Sequence, residues 1–183
     1  MLETAKVRKD TFIPQVLALA DIPAPLWITE PSQLPKAVGS YVLVMQLAGD
    51  KTIAIGKLGV FDLYAGRYYY VGSAMGGGGI ASRVGRHFRA APDKKLRWHV
   101  DYLRAEMTVI GCWVWQSATR LECAIAQQLI QLSYETETET ETETETETET
   151  ETETETLSCI AKVGSSDCRC SGHVFYLKDS FEK

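Results

Sequence analysis

The stretch from Arg67 to Ala91 limits this chain to a mixed fold. RYYYVGSA (67–74) is dense in aromatic residues, which favour a strand. Four glycines follow, Gly76 to Gly79, and they continue neither strand nor helix at low cost. IASRVGRHFRAA (80–91) then places Ile80, Val84 and Phe88 at i, i+4 and i+8, on one face of a helix. A strand, a flexible loop and an amphipathic helix are thus fixed in immediate succession.

Strands are expected before this unit. GSYVLVMQLA (39–48) is apolar and β-branched, Gly49-Asp50 signals a turn, and KTIAIGKLG (51–59) reads as a return strand. VFDLY (60–64) meets a second turn at Ala65-Gly66, so the pattern predicts a meander of short antiparallel strands. Pro92-Asp93 breaks the helix. KKLRWHVDYLRAE (94–106) predicts another, with Leu96, Val100 and Leu103 inward. TVIGCWVWQS (108–117) reads as a buried strand. ATRLECAIAQQLIQL (118–132) reads as an amphipathic helix with Leu121, Ile125 and Leu129 on one face. HVFYL (173–177) is the expected closing strand.

Residues 1–38 read as an appendage or linker. Val16 to Ala20 predicts a short helix, and Pro23, Pro25, Pro31 and Pro35 enforce an extended path that Trp27 and Ile28 can anchor. The expected class is α+β: a small antiparallel sheet flanked by helices, with an extra hairpin, spanning residues 39–183. Eleven Glu-Thr pairs at 135–156 interrupt this domain. They bury nothing apolar, so an extended, disordered insert is expected.

The repeat also distorts the charge. The chain carries −5, but without the eleven repeat glutamates 19 basic residues face 13 acidic ones, a net +6. A basic folded part suits a polyanionic partner. No stretch approaches the roughly 18 unbroken apolar residues of a membrane helix, and MLETAKVRKDTF lacks a signal-peptide core. A cytoplasmic protein without membrane contact is expected. Of five cysteines, Cys112 and Cys123 lie in apolar runs and read as small core residues. Cys168, Cys170 and His173 form C-x-C-x-x-H, a metal-ligand pattern without the second pair of a full zinc signature. A structural or site-supporting role is therefore expected, and zinc is not.

The order of motifs resembles the GIY-YIG nuclease superfamily, which includes homing endonucleases, restriction enzymes and the incision subunit of nucleotide excision repair. Gly39-Ser40-Tyr41 matches the first motif with Ser in place of Ile, and Tyr70-Val71-Gly72 matches the second. Arg83 and His87 match the arginine and histidine of the following helix, and Glu122 matches the glutamate of a later one. Gly39 to Leu177, with its closing GSSDCRC and aromatic segment, looks like the branch catalogued as Domain of Unknown Function 123. Members of that branch occur alone or fused to endonuclease III-like glycosylases.

The resemblance implies a DNA endonuclease working with Mg²⁺ or another divalent cation, in DNA repair or defence. Chemistry assigns the parts. A guanidinium clamps phosphate oxygens, which suits Arg83. A single carboxylate can hold Mg²⁺ with most of its waters, which suits Glu122. The family's tyrosine base implies Tyr70, supported by Tyr41, and His87 can assist proton transfer or bind phosphate. Arg86, Arg89, Lys94, Lys95 and Arg97 form the expected DNA-binding face.

Two features depart from the family. The 28 residues between Tyr41 and Tyr70 are unusually many, which the extra hairpin explains. The supporting Asn is missing, since the chain contains no Asn, leaving Asp167 or Ser166 as substitutes. Two other readings stand beside the nuclease: a catalytically silent nucleic-acid-binding module of the same fold, and a regulatory domain that uses the Cys168–Cys170 segment for metal or redox sensing.

Overall fold

The computed structural model describes residues 12–17, 22–89, 96–142 and 157–177, and only the backbone of residues 15, 16 and 134–142. The elements run α1 (Phe12–Leu17), β1 (Leu26–Ile28), a 3₁₀ turn (Pro31–Gln33), β2 (Gly39–Leu47), β3 (Lys51–Ala54), β4 (Val60–Leu63), β5 (Gly66–Ala74), α2 (Gly79–Phe88), α3 (His99–Glu106), β6 (Thr108–Gln116), α4 (Glu122–Thr142), β7 (Leu157–Ile160) and β8 (Val174–Leu177). Six strands form one sheet in the order β1-β6-β2-β5-β8-β7, with every neighbouring pair antiparallel.

The long apolar strands are buried on both faces, and the two-residue period decides which side chain goes where. Tyr41, Leu43 and Met45 of β2, with Tyr68 and Tyr70 of β5, turn toward α2, α3 and the β3–β4 hairpin. Val42 and Val44, with Tyr69 and Val71, turn toward α1 and α4, where Ile13, Leu17, Ile125 and Leu129 close a second core. The result is three layers with the sheet in the middle.

Several expectations change. β3 pairs with β4 alone, as a separate two-stranded sheet, so β2 and β5 are direct neighbours and not ends of a meander. The hairpin supplies Ile53, Ile55 and Leu63 to the core, which explains the extra residues between the two tyrosine motifs. The segment read as an appendage contributes β1, which pairs Leu26–Ile28 with Cys112–Val114 at the sheet edge. Trp27 and Ile28 anchor the segment through that pairing. The N-terminal helix lies at Phe12–Leu17, earlier than its apolar run suggested. Leu96 precedes α3 and is 40% exposed, because the helix starts only at His99.

α4 also runs further than expected. It carries the backbone of the first eight repeat residues, 135–142, as helix and not extended chain. Each residue added to an already packed helix gains a hydrogen bond without a new nucleation cost. Residues 143–156 lie outside the described part. Among the described residues, no helix is long and apolar enough to cross a membrane.

Two motif glycines have steric reasons. Gly72 lies opposite Tyr41 across β2 and β5. A Cβ there would stand 2.6 Å from the Tyr41 ring and hydroxyl. A Cβ on Gly39 would stand 1.9 Å from the Trp115 carbonyl oxygen. Gly72→Ala is expected to destabilise the protein by roughly 1–3 kcal/mol through overpacking, read as a lower urea midpoint. Gly49→Ala, whose methyl meets nothing within 4 Å, should stay within about 0.5 kcal/mol of wild type.

Candidate active site

β8 pairs with β5 only from Arg67 to Tyr70; Val71 N–H then donates to the His173 carbonyl at 2.8 Å. Beyond the Tyr70–Val174 pair, where β8 begins, a cleft of about 570 Å³ opens, lined by Tyr70, Ser73, Arg83, Arg97, Trp98, His99, Arg120, Glu122, Ser166 and Asp167 among others. A second groove, lined by Gly76–Gly79, Ser82, Arg86 and Arg89, shares Met75, Arg83 and Trp98 with the first. The two adjoin across these shared residues, and their walls together carry five arginines.

Glu122 opens α4, where a negative charge suits the helix N-terminus. It is 7% exposed, so its charge needs partners. Ser73 Oγ donates to Oε2 at 2.5 Å, and His173 Nδ1 lies 3.2 Å from Oε1. Burial works to raise the carboxyl's pKa. The bonds to His173 and Ser73 and the charges of His173 and Arg120 outweigh it, holding the pKa below its ordinary value.

The helix start is itself pinned. Ser40 Oγ is fully buried and accepts the Leu121 N–H at 2.9 Å. Ser40 and Ser73 are direct cross-strand partners. Two adjacent serines thus hold the first turn of α4 against the sheet, one through backbone and one through carboxylate. The serine that replaces Ile in the first motif therefore has a role that sequence reading missed. Its signal was a small polar residue inside an apolar strand.

The tyrosines occupy different depths. Tyr70 borders the cleft, whereas Tyr41 is fully buried beneath it, its hydroxyl 2.9 Å from His87 Nε2. His87 is equally buried. Burial, and secondarily the neighbouring Tyr70, push Tyr41 well above the usual phenol range. Burial pushes Tyr70 up to about 12, with Arg83 and the Tyr41 hydroxyl working against it. Burial disfavours the charge of Arg83, but the two tyrosines outweigh it and strengthen its hold on the proton. Arg83 Nε is buried with no hydrogen-bond partner among the described residues.

Trp98 is a platform that the sequence did not single out. The Arg83 guanidinium lies 4.1 Å and that of Arg86 4.8 Å from its ring centre. Asp101 Oδ2 fixes the platform by accepting the N–H groups of Arg97 and Trp98 and the Arg86 guanidinium. Arg86 is therefore an ion-paired wall of the groove, while Arg89 and Arg97 are exposed on it. Lys94 and Lys95, expected on the same face, lie outside the described residues. His99 Nδ1 accepts the Gly164 N–H at 3.1 Å. Ser166 and Asp167 border the cleft, where the missing Asn was expected to have a substitute.

The comparisons with known proteins concern this region. The family model described as Domain of unknown function DUF123 matches residues 40–138, more than half of the chain. The chain belongs to the DUF123 family. The match covers β2 through most of α4, and so Tyr41, Tyr70, Arg83, His87 and Glu122; the β7–β8 segment of this DUF123 protein, with its Cys and His residues, lies beyond it. No curated protein and no solved structure matches.

The tyrosine environment has a pH signature. The raised Tyr70 pKa favours the folded state fully below an unfolded-state value of about 10, and that contribution is lost as pH rises toward about 12. Between pH 8 and 11, the urea midpoint of wild type should therefore fall more than that of Tyr70→Phe. Parallel curves would contradict a buried, protonated Tyr70.

Proposed function

We propose that this DUF123 protein is a GIY-YIG-type endonuclease that hydrolyses DNA phosphodiester bonds with a divalent cation, in DNA repair or defence. The observation that carries the reading is the convergence of Tyr70, Arg83 and Glu122, from β5, α2 and α4, on one arginine-walled cleft. Three separated sequence positions meeting in one depression is what a phosphoryl-transfer site requires.

Arg83 supplies the phosphate clamp. Trp98 and the tyrosines hold its guanidinium in place, so little side-chain freedom remains to be lost on binding. Arg89 and Arg97 offer exposed charge for the flanking phosphates. The donor set fits a hard cation such as Mg²⁺: Glu122 is a carboxylate kept ionised, and the hydroxyl of Ser166 and the carboxylate of Asp167 add oxygen donors on the cleft wall. Glu122 would hold the ion, which when bound would neutralise charge on the reacting phosphate.

The tyrosines handle the proton. A phenol held up to about 12 is a weak base at neutral pH, so Tyr70 needs a route onward. Its hydroxyl is within reach of Tyr41, whose own hydroxyl meets His87 Nε2. In this reading, water attacks phosphorus and gives a proton to Tyr70, Tyr70 passes its own to Tyr41, and Tyr41 passes its own to His87. With Tyr41 donating, neutral His87 carries its proton on Nδ1. The phosphorus–oxygen bond to the leaving sugar breaks, and a water protonates the alkoxide.

The test is nicking of supercoiled DNA with Mg²⁺. Arg83→Ala and Glu122→Ala should each lower the rate by about 10²–10³-fold. His87→Ala should cost less and flatten the pH profile. Equal cleavage by wild type and both alanine variants would point to a contaminant. Salt-sensitive binding without cleavage would favour a silent DNA-binding module. A preference for RNA would overturn the substrate.

A further inference from the structure

The loop between β7 and β8 brings three ligand-type side chains together, and α4 supplies a fourth. Cys168, Cys170 and His173 from the loop meet Cys123 from the first turn of α4, and one ligand atom from each lies within 4.8 Å of every other. Sequence spacing could not supply Cys123, which stands 45 positions before Cys168 and read as a core residue. A zinc–sulfur distance of about 2.3 Å places tetrahedral ligands roughly 3.8 Å apart. The observed Cys168 Sγ to His173 Nε2 distance is 3.4 Å. All four cysteine and histidine groups sit half-buried or buried, and all three cysteines are free thiols.

The outer contacts match a thiolate centre. The Cys170 N–H donates to Cys168 Sγ at 3.5 Å, which stabilises negative charge on sulfur. His173 presents Nε2 to the cysteines while its Nδ1 faces Glu122 Oε1 at 3.2 Å. A histidine that binds metal through one nitrogen and donates its other N–H to a carboxylate is the usual arrangement around zinc. The surrounding loop, residues 161–173, contains no strand or helix; backbone bonds from Lys162 N–H to the Ser171 carbonyl and from His173 N–H to the Val163 carbonyl close its base, and the cysteines lie in the turn beyond them. A metal staple gives such a segment a fixed shape.

We propose that Cys123, Cys168, Cys170 and His173 form a closed tetrahedral site for zinc. The site joins the β7–β8 loop to the start of α4. It positions His173 so that its Nδ1–H orients Glu122, and it holds Ser166 and Asp167 on the cleft wall. His173 is thus a positioning residue for the carboxylate, acting from outside the cleft. The four ligands leave no open coordination position, so the role is structural and separate from the hard cation of the cleft.

The full chain, purified under reducing conditions, should contain about one zinc per molecule. Cobalt added in its place should give thiolate-to-metal charge-transfer bands and the intense d–d bands of tetrahedral geometry. Cys123→Ser should weaken metal binding by about 100-fold or more, whereas Cys159→Ser, whose thiol lies outside the cluster, should bind as wild type. The variants are compared by cobalt titration, with circular dichroism to verify the fold. Absence of both zinc and the cobalt bands in folded protein would overturn the proposal, as would equal affinity in Cys123→Ser. These readouts do not depend on DNA cleavage, so an inactive protein with a filled site would sink the nuclease reading alone.

Discussion

Glu122 is a buried carboxylate at the point where three parts of the fold meet. Leaving it unpaired would cost several kcal/mol, and the chain avoids that by bringing Ser73 from β5 and His173 from the β7–β8 loop to its two oxygens. Ser40 holds the preceding Leu121 N–H. The first turn of α4 is thereby fixed to the central strands and to the closing segment together. Residues of the cleft that come from distant parts of the chain keep their relative positions because this joint is polar, directional and largely buried at the cleft wall.

Opposite this joint stands a second rigid assembly. Asp101 orders the start of α3, Trp98 projects from it, and Arg83 and Arg86 lie against the indole. Positive charge is concentrated on that wall, while Glu122 supplies a buried negative charge across the cleft. The separation of the two signs suits a polyanion on one side and a cation on the other. Beneath them the Tyr41–His87 pair is sealed from solvent, so its hydrogen bond does not compete with water.

Much of this was legible in the sequence. The aromatic strand, the glycine loop and the helix with Arg83 and His87 lie where their local patterns put them, because each pattern reports a face buried by its own period. β6 and β8 follow for the same reason. What failed was long-range placement. β3 and β4 have ordinary strand composition, and nothing local says that they pair only with each other. β1 is three residues long, and its proline-rich surroundings read as linker. Cys123 looks like any small residue on an amphipathic helix, since its partners arrive from beyond the Glu-Thr repeat. Ser40 read as a substitution within a motif, whereas its hydroxyl serves a backbone N–H 81 positions away. These residues act through contacts between distant segments, and no short window contains both partners.

The central claim is that the buried carboxylate of Glu122 is held by its donors and orders the cleft through them. A double-mutant cycle on Ser73 and Glu122 measures this most directly, with urea unfolding of wild type, Ser73→Ala, Glu122→Ala and the double variant. A coupling energy of about 1.5–3 kcal/mol is expected for a hydrogen bond to a buried charge. A coupling within about 0.3 kcal/mol of zero would mean that the two residues act independently, and would contradict the account.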